Sequence, residues 1–439
     1  MIASRLRTSW LLVLILLPMT VGRVPLTVDA AVKPEVSIVT DRANISFPDG
    51  IDFRLKASTD APIERVELLY ATVGNPTLTL VSPPHEAGTA INVSYRLDLR
   101  RHYLPPGVDV EYRWRFVPRD GDAAETAPKR ILWSDTRFDW ATYRSADVEL
   151  HAYNGDDEFN RTVLDTAQRT ADRLKLQFAL SKLAPIRLWI YQSNDDFAAS
   201  QAPNSEPWVV GTAYVQLALI VLVLPPGNAA EVRRTVPHEM AHQVLYQATK
   251  NPFGGLPTWL DEGLAVYNQE ISDPSFPGLV EQASESGNLD SIRSLNSSFP
   301  YDTTSATLAY AESVSIIDYI VEAFGQDAVT RLTEAGSQGL AYGDAVQTAL
   351  GISIDELDQR WTAWLAGGGL RSAAAAQTSG SGETISDGTA AGLASGAFVM
   401  TGAALLAIVC AVLTVGRTRR SSRLDDDDPV VSSPTVRYL

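Results

Sequence analysis

Strict alternation between apolar and polar residues is the feature that most constrains the first part of this chain. It occurs in residues 51–56, 91–100 and 108–116. A strand in which every second side chain is apolar has one buried and one solvated face, as in antiparallel sheets. Proline, glycine and aspartate clusters, typical of turns, separate the three runs. We therefore predict an antiparallel β-sandwich domain over residues 31–145.

A different order of elements follows. Residues 148–153, 186–191 and 209–224 are strand-like, and residues 157–181 have a helical pattern. From about residue 229 the pattern stays helical. Strands followed by a run of helices are typical of an α+β domain, which we place over residues 146–366.

The second domain contains the segment HEMAH, from His238 to His242. On a helix, residues four apart share one face with Cβ atoms about 5–6 Å apart, so both imidazoles can reach one zinc ion. Glu239 then projects to the side where it can take a proton from water and pass it to a leaving group. The chain has only five histidines, so this pairing is rarely accidental. Taken alone, the motif also allows an accidental pairing on a polar helix face.

A catalytic zinc ion needs three protein ligands and one open position. Glu262 lies in a WLDEGLA block, with 19 residues between it and His242. The two segments together resemble the gluzincin metallopeptidases, whose domains are peptidase MA-like. The resemblance implies a zincin-like fold, one Zn2+ per chain with His238, His242 and Glu262 as ligands, and Glu239 as general base and acid. The other interpretation of Glu262 is an exposed glutamate favoured by a helix N-terminus.

Weaker parts of the resemblance suggest further site residues. Tyr310, in a YAES segment, would stabilise the oxyanion, or it is an ordinary core or rim tyrosine. Asp261 would orient a ligand histidine, or it is a solvated carboxylate at a helix start. One short segment resembles the edge strand that binds substrate peptide. This segment consists of Gly211, Thr212, Ala213 and Tyr214.

The sequence also departs from related peptidases. It has no GxMEN-type segment, which aminopeptidases use to hold a free amino terminus, so we expect an endopeptidase. It has no histidine after His242, so a thermolysin-like histidine cannot stabilise the oxyanion. The N-terminal domain resembles fibronectin type III or immunoglobulin-like modules, whose role here is either a spacer or a binding surface for substrate or glycan.

Both ends of the chain suggest membrane targeting. Residues 1–30, with an arginine-containing start and an apolar core, predict a signal peptide, and a retained N-terminal anchor is the alternative. Residues 390–416 contain no charged residue and are long enough to cross about 30 Å of hydrocarbon. Arginines follow at once in the tail, residues 417–439, which by the positive-inside rule is cytoplasmic. Residues 367–389 form a Gly/Ser-rich linker.

We therefore predict a single-pass protein of the cell membrane, with its N-terminal domains extracellular and a single C-terminal membrane helix. Acidic residues outnumber basic residues 52 to 36, which excludes nucleic acid as the main partner. The single cysteine excludes an intramolecular disulfide and a cysteine-built zinc site.

The predicted function is zinc-dependent hydrolysis of a peptide or protein substrate. The alternative is a catalytically silent surface protein, adhesive or sensory, that retains a zinc-bound scaffold. The intact Glu239 argues against this alternative, because a silent scaffold needs no base at that position.

Overall fold

The computed structural model describes residues 33–75, 77–153, 156–203, 205, 211–300 and 302–370. The predicted signal peptide, membrane helix, tail and almost all of the linker lie outside these residues. No helix within the described ranges is long and apolar enough to cross a membrane.

Seven antiparallel strands form the N-terminal region. They are β1 (Val36–Ser46), β2 (Gly50–Thr72), β3 (Thr79–Val81), β4 (Gly88–Asp98), β5 (Val108–Pro118), β6 (Ala124–Glu125) and β7 (Lys129–Trp133). The long strand β2 pairs with β1 and β4 along its first half, and with β3 and β5 along its second half. Its ladder to β4 is irregular between Ser58 and Ile63, where the two halves join.

The two halves of this seven-stranded sheet enclose one core. Phe53, in the first half of β2, contacts Tyr112 of β5 with ring centroids 4.9 Å apart, although the two residues are not paired in a ladder. The indole of Trp114 in β5 donates to Asp41 of β1 over 3.1 Å. The prediction of a sheet-rich N-terminal region is confirmed, and the strands are hydrogen-bonded as one folded sheet.

A second sheet has five strands in the order β11-β12-β10-β9-β8. They are β8 (Ala141–Arg144), β9 (Val148–Ala152), β10 (Ile186–Tyr191), β11 (Gly211–Tyr214) and β12 (Leu219–Val223). The three central strands are parallel, and the edge strands β8 and β11 are antiparallel to their neighbours. Strand β8 falls inside the range 31–145 that the sequence suggested for the first domain, yet it pairs with β9. A tight turn at Ser145 joins the two strands, so the second sheet begins earlier in the chain than the predicted boundary.

Nine α-helices are described. They are α1 (Asp157–Gln177), α2 (Asn194–Ala198), α3 (Ala229–Thr249), α4 (Thr258–Tyr267), α5 (Phe276–Ser286), α6 (Thr303–Phe324), α7 (Asp327–Ser337), α8 (Tyr342–Leu350) and α9 (Ile354–Ala366). Because side chains alternate along a strand, β10 serves two cores. Leu188 and Ile190 lie on the side of the sheet covered by the helices, which we call the helical face, and belong to a mostly aliphatic core there. Trp189 and Tyr191 lie on the opposite face, in a smaller core that includes Val108 of β5.

Candidate metal centre

Helix α3 carries the HEMAH segment through the middle of the core. It begins at Ala229, where the side chain of Asn228 accepts a hydrogen bond from the backbone N–H of Glu231 over 3.1 Å. Pro237 therefore lies inside the helix, well after its start. Residues 235–245 are all buried. A helix buried on every side positions its polar residues within the protein and away from bulk solvent.

Three ligand-type atoms converge between α3 and α4. The Nε2 atoms of His238 and His242 are 3.2 Å apart, and Glu262 Oε2 lies 3.5 Å and 3.4 Å from them, respectively. All three residues are buried. Ligand atoms about 2.0–2.1 Å from a tetrahedral zinc ion are about 3.3 Å from one another. Two nitrogen lone pairs and a carboxylate brought this close are stabilised by a cation, so the residues fit a zinc ion.

The glycine after Glu262 determines how closely α4 approaches α6. A Cβ placed on Gly263 would lie 2.7 Å from the backbone oxygen of Ser313, nearer than non-bonded atoms approach. Only glycine lets the two helices pack at this distance. Glu262 is therefore positioned by a backbone contact between helices.

Glu239 is fully buried beside the three converging atoms. Neither of its carboxylate oxygens has a hydrogen-bond partner among the described residues. Burial raises the pKa of Glu239 to about 7. A carboxyl group with a pKa near neutrality can both take up and release a proton under ordinary conditions.

The pKa shifts of His238 and Glu262 favour the ionisation states that metal binding requires. Burial lowers the pKa of His238, which favours the neutral imidazole that binds metals. For Glu262, burial acts to raise the pKa, but the adjacent His242 and His238 outweigh it, so the pKa lies below its usual value. Glu262 is accordingly an anion next to the two histidine rings.

Each histidine has a second neighbour at its other ring nitrogen. Asp261 Oδ2 lies 3.2 Å from Nδ1 of His242, the place expected for a residue that orients a ligand. The side-chain amide of Gln269 lies 3.2 Å from Nδ1 of His238. Sequence reasoning missed Gln269, because a glutamine seven residues after Glu262 belongs to neither the HEMAH nor the WLDEGLA segment.

The predicted edge strand lies next to Glu239. A Cβ placed on Gly211, at the start of β11, would be 3.2 Å from Glu239 Oε1. Thr212 and Ala213 are buried. Tyr214 ends the strand, and its hydroxyl lies 3.2 Å from that of Tyr103 in the N-terminal region.

Tyr310 also lies near the centre. It is half-buried on α6, with its ring centroid 6.4 Å from that of His238. The ring of Phe299 meets it edge-on at 5.1 Å. The structure thus brings every predicted site residue to one region, with the strand and Tyr310 on its border.

Comparison with known proteins supports a peptidase-type domain. Residues 166–367 match the Peptidase MA superfamily. No curated protein matches the chain.

Several solved structures resemble the chain distantly. A variant of a two-domain M1 zinc metallopeptidase bound to L-arginine has 13% identity and a TM-score of 0.35, with 76% of this chain and 94% of the other covered. A variant M1 zinc metallopeptidase from Deinococcus radiodurans has 12% identity and a TM-score of 0.31, with the same coverage of 76% and 94%. A bromine derivative of BhCBM56 has 10% identity and a TM-score of 0.17, covering 22% of this chain and 91% of its own. The superfamily match, rather than these distant likenesses, supports the assignment of the domain.

Proposed function

We propose that this chain is a zinc-dependent endopeptidase. The observation that carries the proposal is the arrangement around α3: three buried ligand atoms at tetrahedral spacing, next to a buried carboxylate without a hydrogen-bond partner among the described residues. Bound zinc supplies a Lewis acid that polarises the scissile carbonyl and lowers the pKa of water. His238, His242 and Glu262 would hold the ion.

Glu239 does the proton chemistry. It accepts the proton of the attacking water and then donates that proton to the leaving amine, which needs a pKa near neutrality. No neighbouring group among the described residues donates a hydrogen bond to this buried carboxylate, so both of its oxygens can interact with water or substrate. Tyr310, at the border of the site, is our candidate for stabilising the oxyanion through its phenol.

The substrate binds as an extended peptide along β11. This strand pairs with β12 on one side, so its other side can add a further strand through backbone hydrogen bonds. The described strand has the sequence Gly-Thr-Ala-Tyr and contains no carboxylate to pair with a free amino terminus. This favours cleavage within a chain over removal of its first residue.

We also propose an outward-facing location at the cell membrane. This rests on the apolar N-terminal segment and on the uncharged residues 390–416 with arginines after them. Accessibility of the peptidase domain to added protease in intact cells would test it, and a protected domain would contradict it.

The decisive experiment on function compares the full chain with Glu239→Gln. We expect one zinc ion per chain by metal analysis in both proteins, and cleavage of a peptide library by the wild type alone. The rate should fall about 10²–10⁴-fold in the variant, since proton transfer is lost while the ligands remain.

Glu334→Gln is the matched control, because the same substitution falls on an exposed residue of α7. It should leave cleavage unchanged. A wild-type chain that binds zinc and cleaves nothing in the library would favour the silent scaffold. A chain that binds no zinc would overturn both functions.

A further inference from the structure

The three residues that directly follow α4 pack against α3, so they link the two helices that carry the predicted metal ligands. We call Asn268, Gln269 and Glu270 the clamp segment. We propose that Gln269 is a positioning residue that orients His238 for metal binding, and that the clamp segment holds it there. This inference rests on the proposed zinc function and concerns a residue outside the ligand set and the HEMAH motif.

The clamp segment is joined to α3 where that helix lacks one of its own hydrogen bonds. Pro237 has no N–H, so the carbonyl of Arg233, four residues earlier, receives no helical hydrogen bond from it. The backbone N–H of Glu270 donates to this carbonyl over 3.0 Å. The side chain of Arg233 also contacts Glu270, with Nε 3.1 Å from Oε2. The clamp segment therefore contacts α3 at Arg233, about one turn before His238.

Helix α1 holds the segment from another side. Arg173 donates to both the backbone oxygen and the side-chain oxygen of Asn268, over 2.9 Å to the backbone oxygen. Arg169 lies 3.2 Å from the carboxylate of Glu270. Asn268 is buried and donates to the carbonyl of Leu264 over 2.8 Å. Both neighbours of Gln269 are thus fixed, so its side chain has little freedom to leave the site.

Gln269 contacts the ring nitrogen of His238 that faces away from the ligand cluster. Nε2 of His238 faces Glu262 and His242, so as a ligand it must carry a lone pair, and the ring hydrogen must be on Nδ1. The partner of Nδ1, 3.2 Å away, must then accept a hydrogen bond. The side-chain oxygen of Gln269 can do this, because a half-turn of the amide exchanges its nearly identical O and N positions.

The two ligand histidines are consequently held by different chemistry. His242 has a carboxylate neighbour, Asp261, whereas His238 has a neutral amide. A hydrogen-bond acceptor behind a ligand histidine fixes its tautomer and its ring orientation. Gln269 supplies this function without adding another carboxylate to those of Asp261 and Glu262.

The test measures zinc affinity of the full chain by competition with a chelator. Loss of a partner behind a ligand typically weakens metal binding about 10–100-fold. We expect such a loss in Gln269→Ala. In Gln269→Glu, which keeps an acceptor at the same reach, affinity should stay within a few-fold of the wild type. Gln347→Ala, at an exposed position on α8, is the control and should leave affinity unchanged.

Two further readouts separate positioning from general stability. The zinc-free thermal unfolding midpoint should be the same in Gln269→Ala and wild type, and the visible absorption of the Co2+-loaded chain should change in the alanine variant alone. The inference is overturned if Gln269→Ala binds zinc as the wild type does. It is also overturned if Gln269→Glu loses affinity equally, or if the zinc-free midpoint falls with the affinity. A wild-type chain without zinc would instead refute the proposed function.

Discussion

The two faces of the five-stranded sheet differ in the hydrogen bonding of their buried polar groups. On the helical face the core is mostly aliphatic, and both carboxylate oxygens of the buried Glu239 lack hydrogen-bond partners among the described residues. On the opposite face the core is richer in aromatic rings, and two tyrosine hydroxyl groups donate hydrogen bonds, although Nε1 of Trp189 has no partner among the described residues. Tyr191 donates to Asp135 over 2.9 Å, and Tyr153 donates to Asp196 over 2.6 Å. The helical face leaves the carboxylate of Glu239 available for chemistry, whereas on the opposite face the hydrogen bond from Tyr191 to Asp135 joins the second sheet to the N-terminal region.

Close packing reinforces this second role. Gly107, with a φ of 102°, lies so near the sheet that a Cβ placed on it would be 2.3 Å from Nε1 of Trp189. Arg187 of β10 forms an ion pair with Asp109 of β5 at 2.7 Å. Substitutions on the opposite face should therefore lower the free energy of unfolding and leave zinc affinity unchanged. Substitutions on the helical face should lower both the free energy of unfolding and the zinc affinity.

The largest expected effect is on the opposite face. Trp189 is buried, with its ring 4.4 Å from His151 and 4.5 Å from Trp140 between centroids. Trp189→Ala should lower the free energy of unfolding by about 3–5 kcal/mol, because the cavity cannot close completely. Thermal unfolding checks the stability, and chelator competition checks that zinc affinity is unchanged.

Trp364→Ala is the matched control, since this tryptophan is only half-buried on α9 and should cost less. If Trp189→Ala weakens zinc binding in proportion to stability, the separation between the faces is wrong.

A smaller effect is expected on the helical face. Gly263→Ala would place a Cβ against the backbone of Ser313, which cannot move like a flexible side chain. We expect a loss of about 3 kcal/mol, the upper end of the range for overpacking. Zinc affinity should fall as well, because Glu262 moves with α4. If Gly263→Ala is destabilised but binds zinc with the affinity of the wild type, stability and metal binding are not coupled on the helical face, contrary to our prediction.

The smallest effect depends on pH and concerns a carboxyl group away from the ligands. Glu312 is buried on α6, and burial raises its pKa to about 8. A carboxyl group whose pKa is raised on folding adds no penalty below its unfolded pKa near 4.5, and it reduces stability as the pH rises towards 8. Glu312→Gln should therefore stabilise the protein on the order of 2 kcal/mol at pH 8 and very little at pH 4.

Thermal unfolding of both proteins across this pH range checks the prediction. The glutamine oxygen can still accept from the backbone of Asp290, as Glu312 does. A stabilisation independent of pH would show that Glu312 is not the titrating group.

Local periodicity made several elements predictable. Alternation identified the strands around residues 51–56, 91–100 and 108–116, and β10 coincides with the strand-like run 186–191. The helix predicted over residues 157–181 ends at Gln177, four residues early. The HEMAH and WLDEGLA blocks pointed to residues that the structure brings together, because spacing along helices determines which side chains share a face.

Other features depend on contacts between distant segments and leave no local pattern. The strand-like run 209–224 includes the separate antiparallel strands β11 and β12, joined by a turn with Ala218 at a φ of 48°. Alanine seldom adopts this conformation, so no turn signal appears in the sequence. Gln269 and Tyr103 likewise reach the site only through tertiary packing.

The proline within α3 has a consequence for how the protein assembles. Without the backbone of Glu270, the carbonyl of Arg233 would lose the donor that replaces the missing N–H of Pro237. The helix that bears His238 and His242 therefore gains its full set of hydrogen bonds only when the residues that follow α4 pack against it. The two halves of the metal centre should open and close as one cooperative unit in hydrogen exchange, spanning residues 229–270.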